Sequence, residues 1–472
     1  MEKICILGAG TYGSYLAKAL SEKFPKSHIK LVDVGGSKVQ SEEKVGFLSS
    51  LKGADYSAVN KGRFFGLGGT SNKWAGQLLF FSKHDCPGEK GMHTIRNANI
   101  TYKDTVLRRF FKEAPVLQDR EIEEGLFLKQ GIWLKQSQRN FFKHLRINSI
   151  KNVDIVKEAR VVKLNIENDQ LNSVTIKVGT EIEELGADIF YLACGAFESI
   201  RLLSVAGLYN LEKITTGFRD RVSLKGFTIL DTKANFLNHD LGHMFVNNSL
   251  ITSRIIAHSK NSSFYLKAIF NNEFLLVREL KNLVMRRNPF SFSQFVKGLK
   301  VAHHIFPFAF HYLYHKKLYV YKNWDIFIDI ELDENKNKIK LSEETDKFGE
   351  AGLDIFFSIP EITLEKLKAA KSIVKSILIK NGVKFREADE DLSVSEIIDT
   401  LHPYNFYNSD GQLTFEEIFN PAKKLFVLHT GILKRICGNN PTASLLCLIE
   451  KHIAEDFSPD LQKKEEQVLQ VV

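Results

Sequence analysis

Apolar and polar positions along the chain follow three patterns. The opening reads "KICIL", where after Lys3 an unbroken apolar run is closed by a glycine cluster at Gly8. A run that short, with that boundary, predicts a strand buried on both faces. "GAGTYGSYLAKAL" continues it as a helix with the small Ala17 turned toward the sheet, and "HIKLVDV" predicts a second strand ending at Asp33. From 153 the period shortens to that of exposed strands, in "VDIVKEARVVKLNIEN", "LNSVTIKV" and "TEIEELGADIFYLACGAFES", with Asn168-Asp169 as a hairpin turn. "ADIFYLACGA" is apolar from Ile189 on, as a doubly buried strand would be, and "FESIRLLSVAGL" carries on as a helix. Between 100 and 150, basic helical patches alternate with aromatics. Further on come strands at "DIFIDIELD" and "KIKLSEE". An amphipathic helix, "PEITLEKLKAAKSIVKSILIKNG", then places apolar residues at three-and-four spacing and stops at Gly382.

Glycine adds chemistry to that pattern. Gly8-x-Gly10-x-x-Gly13 lies between strand and helix, and Asp33 follows twenty residues after Gly13. The first glycine makes the tight turn, the second lets a pyrophosphate reach the backbone, and the third allows close helix–strand packing. The helix start offers free N–H groups to phosphate, and the acid accepts ribose hydroxyls. This predicts a dinucleotide site, and these residues leave NAD and FAD both open. A second cluster, "RFFGLGGTSNKWAGQ" at 63–77, repeats the demand for close backbone approach. Glycine and helix signals return after 398.

Composition narrows the class. The 472 residues are 44% hydrophobic and 26% charged, as in ordinary globular proteins. The net charge of +9 is concentrated in part: residues 280–322 hold eight Lys or Arg and no Asp or Glu among many aromatics. That segment reads as a lid with a solvated basic face, or as a candidate for peripheral contact with a membrane or a lipid-linked substrate. No nucleic-acid-binding fold accompanies the charge, so nucleic acid is not expected. Five widely spaced cysteines without a CxxC pair indicate neither a disulfide framework nor a metal site. With a strand at the very start in place of a signal peptide, and no long apolar run, the expectation is a cytoplasmic protein.

Several stretches together resemble the glucose–methanol–choline (GMC) oxidoreductases, FAD-dependent enzymes that oxidise alcohols. They are the GxGxxG at 8–13, "GLGGTSNKWAGQ" at 66–77, "ARVVKL" with "YLACGAFESIRLL" at 159–203, "NPTASLLCLIEKHIAED" at 440–456 and, more loosely, "DTLHPYNFYNSDG" at 399–411. The resemblance implies an α/β fold, with a Rossmann-like FAD-binding domain and an inserted α+β substrate domain of mixed sheet and flanking helices. It assigns 1–85, 155–235 and 398–472 to the first. It makes 86–154 a lid or connection and 236–397 the substrate domain. Non-covalent FAD would be held by Gly8, Gly10, Gly13, Asp33, Gly68, Gly69, Thr70, Ser71, Asn72, Trp74, Val162, Gly195, Pro441 and Thr442. His402 would be the base that takes the hydroxyl proton, with Asn440 on the substrate oxygen and as cap of the following helix.

The chain also departs from the family. Asn405-Phe406 replace Gly-Thr after His402, His429 replaces an Asp, and Arg221 replaces a His. Arg435 falls where the ring edge is expected. The expected substrate is a small molecule or saccharide, anionic or lipid-linked in one reading, with the electron acceptor open. The altered turn after His402 keeps two alternatives in view: a flavin-binding protein without turnover, and a lyase or isomerase on the same scaffold.

Overall fold

A computed structural model describes residues 2–53, 63–89, 92–208, 220–231, 241–259, 262–270, 291–299, 306–318, 324–332, 337–388, 415–433 and 435–456. The opening run forms the middle strand, Lys3–Leu7, of a five-stranded parallel sheet. His28–Val32 and Ile189–Leu192 lie on its two sides, with Val153–Val156 and Leu425–Val427 outside them. Ile4, Cys5, Ile6 and Leu7 are all buried, as the unbroken apolar run requires. The helix Thr11–Lys23 buries Leu16, Ala17 and Leu20 in the same core as this sheet. Close packing is possible because Gly13 has no side chain: a Cβ there would lie 1.8 Å from the Gly8 carbonyl oxygen. The last long helix, Thr442–Lys451, is apolar nearly all round and buried on every side.

A meander of three strands follows, Ala159–Glu167, Gln170–Val178 and Glu181–Gly186. Asn168 and Asp169 turn its first hairpin with φ of 51° and 57°, the left-handed pair that a two-residue turn needs.

The second half of the molecule is a ten-stranded sheet. Its path runs Lys317–Leu318, His243–Val246, Ser249–Ser259, Ser262–Phe270, Trp324–Glu331, Arg221–Asp231, Lys384–Glu387; Leu126–Trp133 joins at Ser249–Ser259 and brings in Gln77–Leu78 and Asp119–Glu123. Residues 221–231, grouped by sequence with the nucleotide-binding unit, thus pair in this sheet, as do 119–123 and 126–133 from the expected connection. Val222, Leu224, Phe227, Ile229 and Leu126 enter the core of this half, while Ile132 reaches the core of the other. The helix Glu361–Lys380 covers the sheet with Leu367, Ala370, Val374 and Leu378, and Gly382 ends it at φ +65°. Each half has its own hydrophobic core.

One cysteine expectation is corrected. Cys86 and Cys437, 351 residues apart, form a disulfide with Cα atoms 5.7 Å apart, while Cys5, Cys194 and Cys447 are free. Spacing carries no trace of a pairing that only the fold brings about. No helix among the described residues is long and apolar enough to cross a membrane.

Candidate active site

Between the two halves lies a cavity of about 1510 Å³. Its nucleotide side is built from two glycine turns laid against each other. Gly68 donates its N–H to the Ala9 carbonyl (2.8 Å), and a Cβ on Gly69 would lie only 2.8 Å from the Gly10 Cα. Gly68 and Gly69 both have positive φ, so the approach depends on glycine twice over. Side chains behind the turns fix them. Ser71 donates to the Gly68 carbonyl and accepts from the Phe141 N–H, and Asn72 donates to the Leu67 and Gly69 carbonyls. Trp74 donates its indole N–H to the Arg139 carbonyl (2.8 Å).

Asp33 accepts from the backbone N–H of Ala9 and of Gly35, both at 2.8 Å, so it locks the first turn while lining the cavity. Burial pushes its carboxyl up to about 6 in spite of those two donors.

Of the residues picked from the sequence, Gly8, Gly10, Asp33, Gly69, Thr70, Asn72, Trp74, Gly195, Asn440 and Thr442 line the cavity. Gly13, Gly68, Ser71 and Pro441 stand behind this lining and shape it. Val162 does not face it; Ala159 and Val161 do, since alternate residues of a strand share a face. His402 lies outside the described residues.

Asn440 has both ends of its amide engaged. Its Oδ1 accepts from the Thr442 N–H (3.1 Å) and hydroxyl (2.9 Å), which caps the helix, and its Nδ2 donates to the Gln77 carbonyl (3.1 Å). His429 also lines the cavity. Its Nδ1 accepts from the Gly431 N–H, its Nε2 is buried with no hydrogen-bond partner among the described residues, and burial holds its pKa down to about 3. Arg435 is corrected: Glu331 takes it at 2.6 Å and also accepts from the Ile436 and Cys437 N–H groups, so Arg435 anchors the loop and does not line the cavity.

The opposite wall belongs to the ten-stranded sheet, and the sequence reading missed most of it. Trp133, His243, Phe245, Thr252, Arg254 and Lys267 all line it, with Arg221 beside them. The available signal was a lone cation inside an otherwise apolar strand, as at Lys267 in "FYLKAIF". Burial lowers the His243 imidazole to about 4.

Three solved structures share this architecture. The chain superposes on pyridoxine 4-oxidase from Mesorbium loti with a TM-score of 0.52 at 14% identity, covering 96% of this chain and 99% of that one. A formate oxidase gives 0.52 at 11% identity, over 96% of this chain and 98% of the other. An FAD-dependent oxidoreductase from Chaetomium thermophilum gives 0.51 at 12%, over 99% and 100%. The chain has the GMC fold. The α/β architecture expected from the motifs is therefore borne out. No protein-family model matches the chain. No curated sequence matches it either.

The cavity also passes a test of fit for a dinucleotide. Two glycine turns open onto it, a carboxylate stands at the end of the second strand, and the buried Nε2 of His429 on its wall has no hydrogen-bond partner among the described residues.

Proposed function

We propose that the protein is an FAD-dependent oxidoreductase that oxidises an alcohol carbon on a small molecule or sugar. The observation that carries this reading is the abutment of Gly10 and Gly69 at one end of a cavity whose other end is walled by the substrate sheet. The solved structures with the same fold, named as oxidases and an FAD-dependent oxidoreductase, support it.

FAD, when bound, supplies the two-electron acceptor for the hydride that leaves the carbinol carbon. The chain's part is to bind, orient and move a proton. Main-chain N–H groups at the start of the helix Thr11–Lys23 would hold the pyrophosphate; the Gly68–Gly69 turn, whose own N–H groups go to the Ala9 and Gly66 carbonyls, would leave it room, and Asp33 would take the ribose. Asn440, kept in one orientation by Thr442 and Gln77, presents a fixed amide to the cavity. His402 is the proposed base, on its motif match. His429, neutral through burial, is the base to test if His402 fails.

Anaerobic reduction of the yellow protein by a panel of alcohols tests the reading. His402→Ala should keep the flavin spectrum and slow reduction by roughly two to four orders of magnitude. Reduction at the wild-type rate would remove His402 from the role. A flavin that no alcohol bleaches would leave a binding protein or a non-redox enzyme. Acid precipitation should release all the yellow colour, because the cofactor is proposed to be non-covalent.

A further inference from the structure

Arg254 and Lys267 stand directly opposite each other on neighbouring antiparallel strands, and both line the cavity. Like charges in that position destabilise a sheet unless something negative is shared between them. Asp329, two strands along from Arg254, is shared in this way. Its carboxylate meets Lys267 Nζ at 2.9 Å, Arg254 Nη1 at 3.3 Å and Arg221 Nη1 at 3.7 Å, and it accepts from the Ser223 hydroxyl. Burial alone would raise this carboxyl, but the three cations hold it down to about 2, so it stays ionised. Asp329 is fully buried behind the wall and does not line the cavity, whereas all three cations do. Their side chains are themselves nearly buried, at 11%, 7% and 11% exposure.

We infer that this wall is an anion subsite, and that the alcohol the protein oxidises carries a carboxylate or phosphate group seated on Arg221, Arg254 and Lys267. The inference rests on the alcohol-oxidation reading for the word alcohol, and on the cavity wall alone for the anion. Guanidinium groups suit both anions, since their N–H forks match planar and tetrahedral oxygens. The place is also tied to the chemistry. Arg254 Nη2 donates to the Gln77 side-chain oxygen (3.2 Å), and the Gln77 backbone oxygen accepts from the Asn440 amide. An anion on Arg254 is thus one residue removed from the group proposed to meet the substrate oxygen.

The test is calorimetric titration of the purified holoprotein with inorganic phosphate and with acetate, at constant ionic strength set by chloride. Saturable binding of either is expected, and which of the two binds more tightly tells phosphate from carboxylate. Lys267→Met should weaken that binding roughly tenfold or more, the worth of one charge-assisted hydrogen bond, with FAD content unchanged. Absence of saturable binding to the unmodified protein overturns the subsite without any variant. So does unchanged affinity in Lys267→Met accompanied by a lower flavin reduction potential, because the cations would then serve the reduced ring. If phosphate or acetate binds and no alcohol reduces the flavin, the subsite stands and the oxidation reading falls. If neutral alcohols reduce the flavin and anions neither bind nor compete, the reverse holds.

Discussion

On the nucleotide side of the cavity, residues close in sequence are close in the site: Gly8 and Gly10 share one turn, and Gly69, Thr70, Asn72 and Trp74 share the next. On the sheet side, Arg221, His243, Arg254 and Lys267 come from four different strands. The contrast follows from which atoms do the recognising. A site that uses main-chain N–H groups constrains a continuous stretch, because each consecutive residue must keep its Cβ or its φ out of the way. A site that uses side chains on a sheet asks for one inward position per strand and leaves the neighbours free.

The largest effects should come from separating the two duties of the nucleotide side. A Cβ at Gly13 would meet the Gly8 carbonyl at 1.8 Å, whereas the nearest protein atom to a Cβ at Gly10 is the Gly69 Cα at 3.9 Å. Gly13→Ala should therefore cost about 3 kcal/mol or more of stability, whether or not FAD is present. Gly10→Val should leave the unfolding of the cofactor-free protein nearly unchanged and abolish FAD uptake, since its side chain fills the pyrophosphate's path. Measured melting curves and flavin content decide this. Near-normal FAD in Gly10→Val would mean that the cofactor does not approach the backbone there.

Effects of middle size should be alike on the two sides. His429 on the nucleotide side and His243 on the sheet side are both kept neutral by burial, at about 3 and about 4. In the unfolded chain each takes up a proton near its ordinary value of about 6.5. Between those limits the unfolded state binds protons that the folded state does not. Stability therefore falls as pH falls, by about 1.4 kcal/mol per pH unit for each histidine, and is fully retained above the window. Urea unfolding between about pH 7 and about pH 5 should show the slope reduced by one proton in His429→Gln and by one in His243→Gln. A full slope in His243→Gln would mean that the sheet wall is open to water.

How far the sequence could be read follows the same division. The parallel sheet, the Asn168-Asp169 turn and the helix Glu361–Lys380 were all legible, because period and turn chemistry are local properties. So were the glycine turns. The disulfide between Cys86 and Cys437 was not, nor the gathering of three cations around Asp329. Each depends on register between strands or loops far apart in the chain, and a one-residue slip would send Lys267 to the other face of its strand. Arg435 was misread for a related reason. Its position in the chain put it near the ring, but the buried carboxylate of Glu331, from the sheet, holds it as an anchor for the loop before Asn440.

The smallest expected effect concerns the outer surface of the sheet half. The helix Phe292–Leu299 exposes Phe292, Val296 and Leu299, and the helix Phe306–His315 exposes Phe310, Leu313 and Tyr314. Tyr312 packs edge-on against Phe245 at 4.9 Å, and Phe245 lines the cavity, so this apolar surface adjoins the cavity wall. Lys297, Lys316 and Lys317 accompany it, within a segment of eight cations and no acids. Apolar side chains among lysines are what an anionic bilayer surface holds, with about 1 kcal/mol from each cation near the surface. Sedimentation with vesicles of phosphatidylserine and phosphatidylcholine should carry the protein down. Changing Arg286, Arg287, Lys316 and Lys317 to Gln should weaken this mainly at low salt, where the charges are least screened. Phe310→Ser with Leu313→Ser should weaken it at any salt, because burial of apolar surface does not depend on screening. Sedimentation unchanged by both sets would leave the helices as a lid with a solvated basic face. The two walls would then differ in how they are built, but neither would face a membrane.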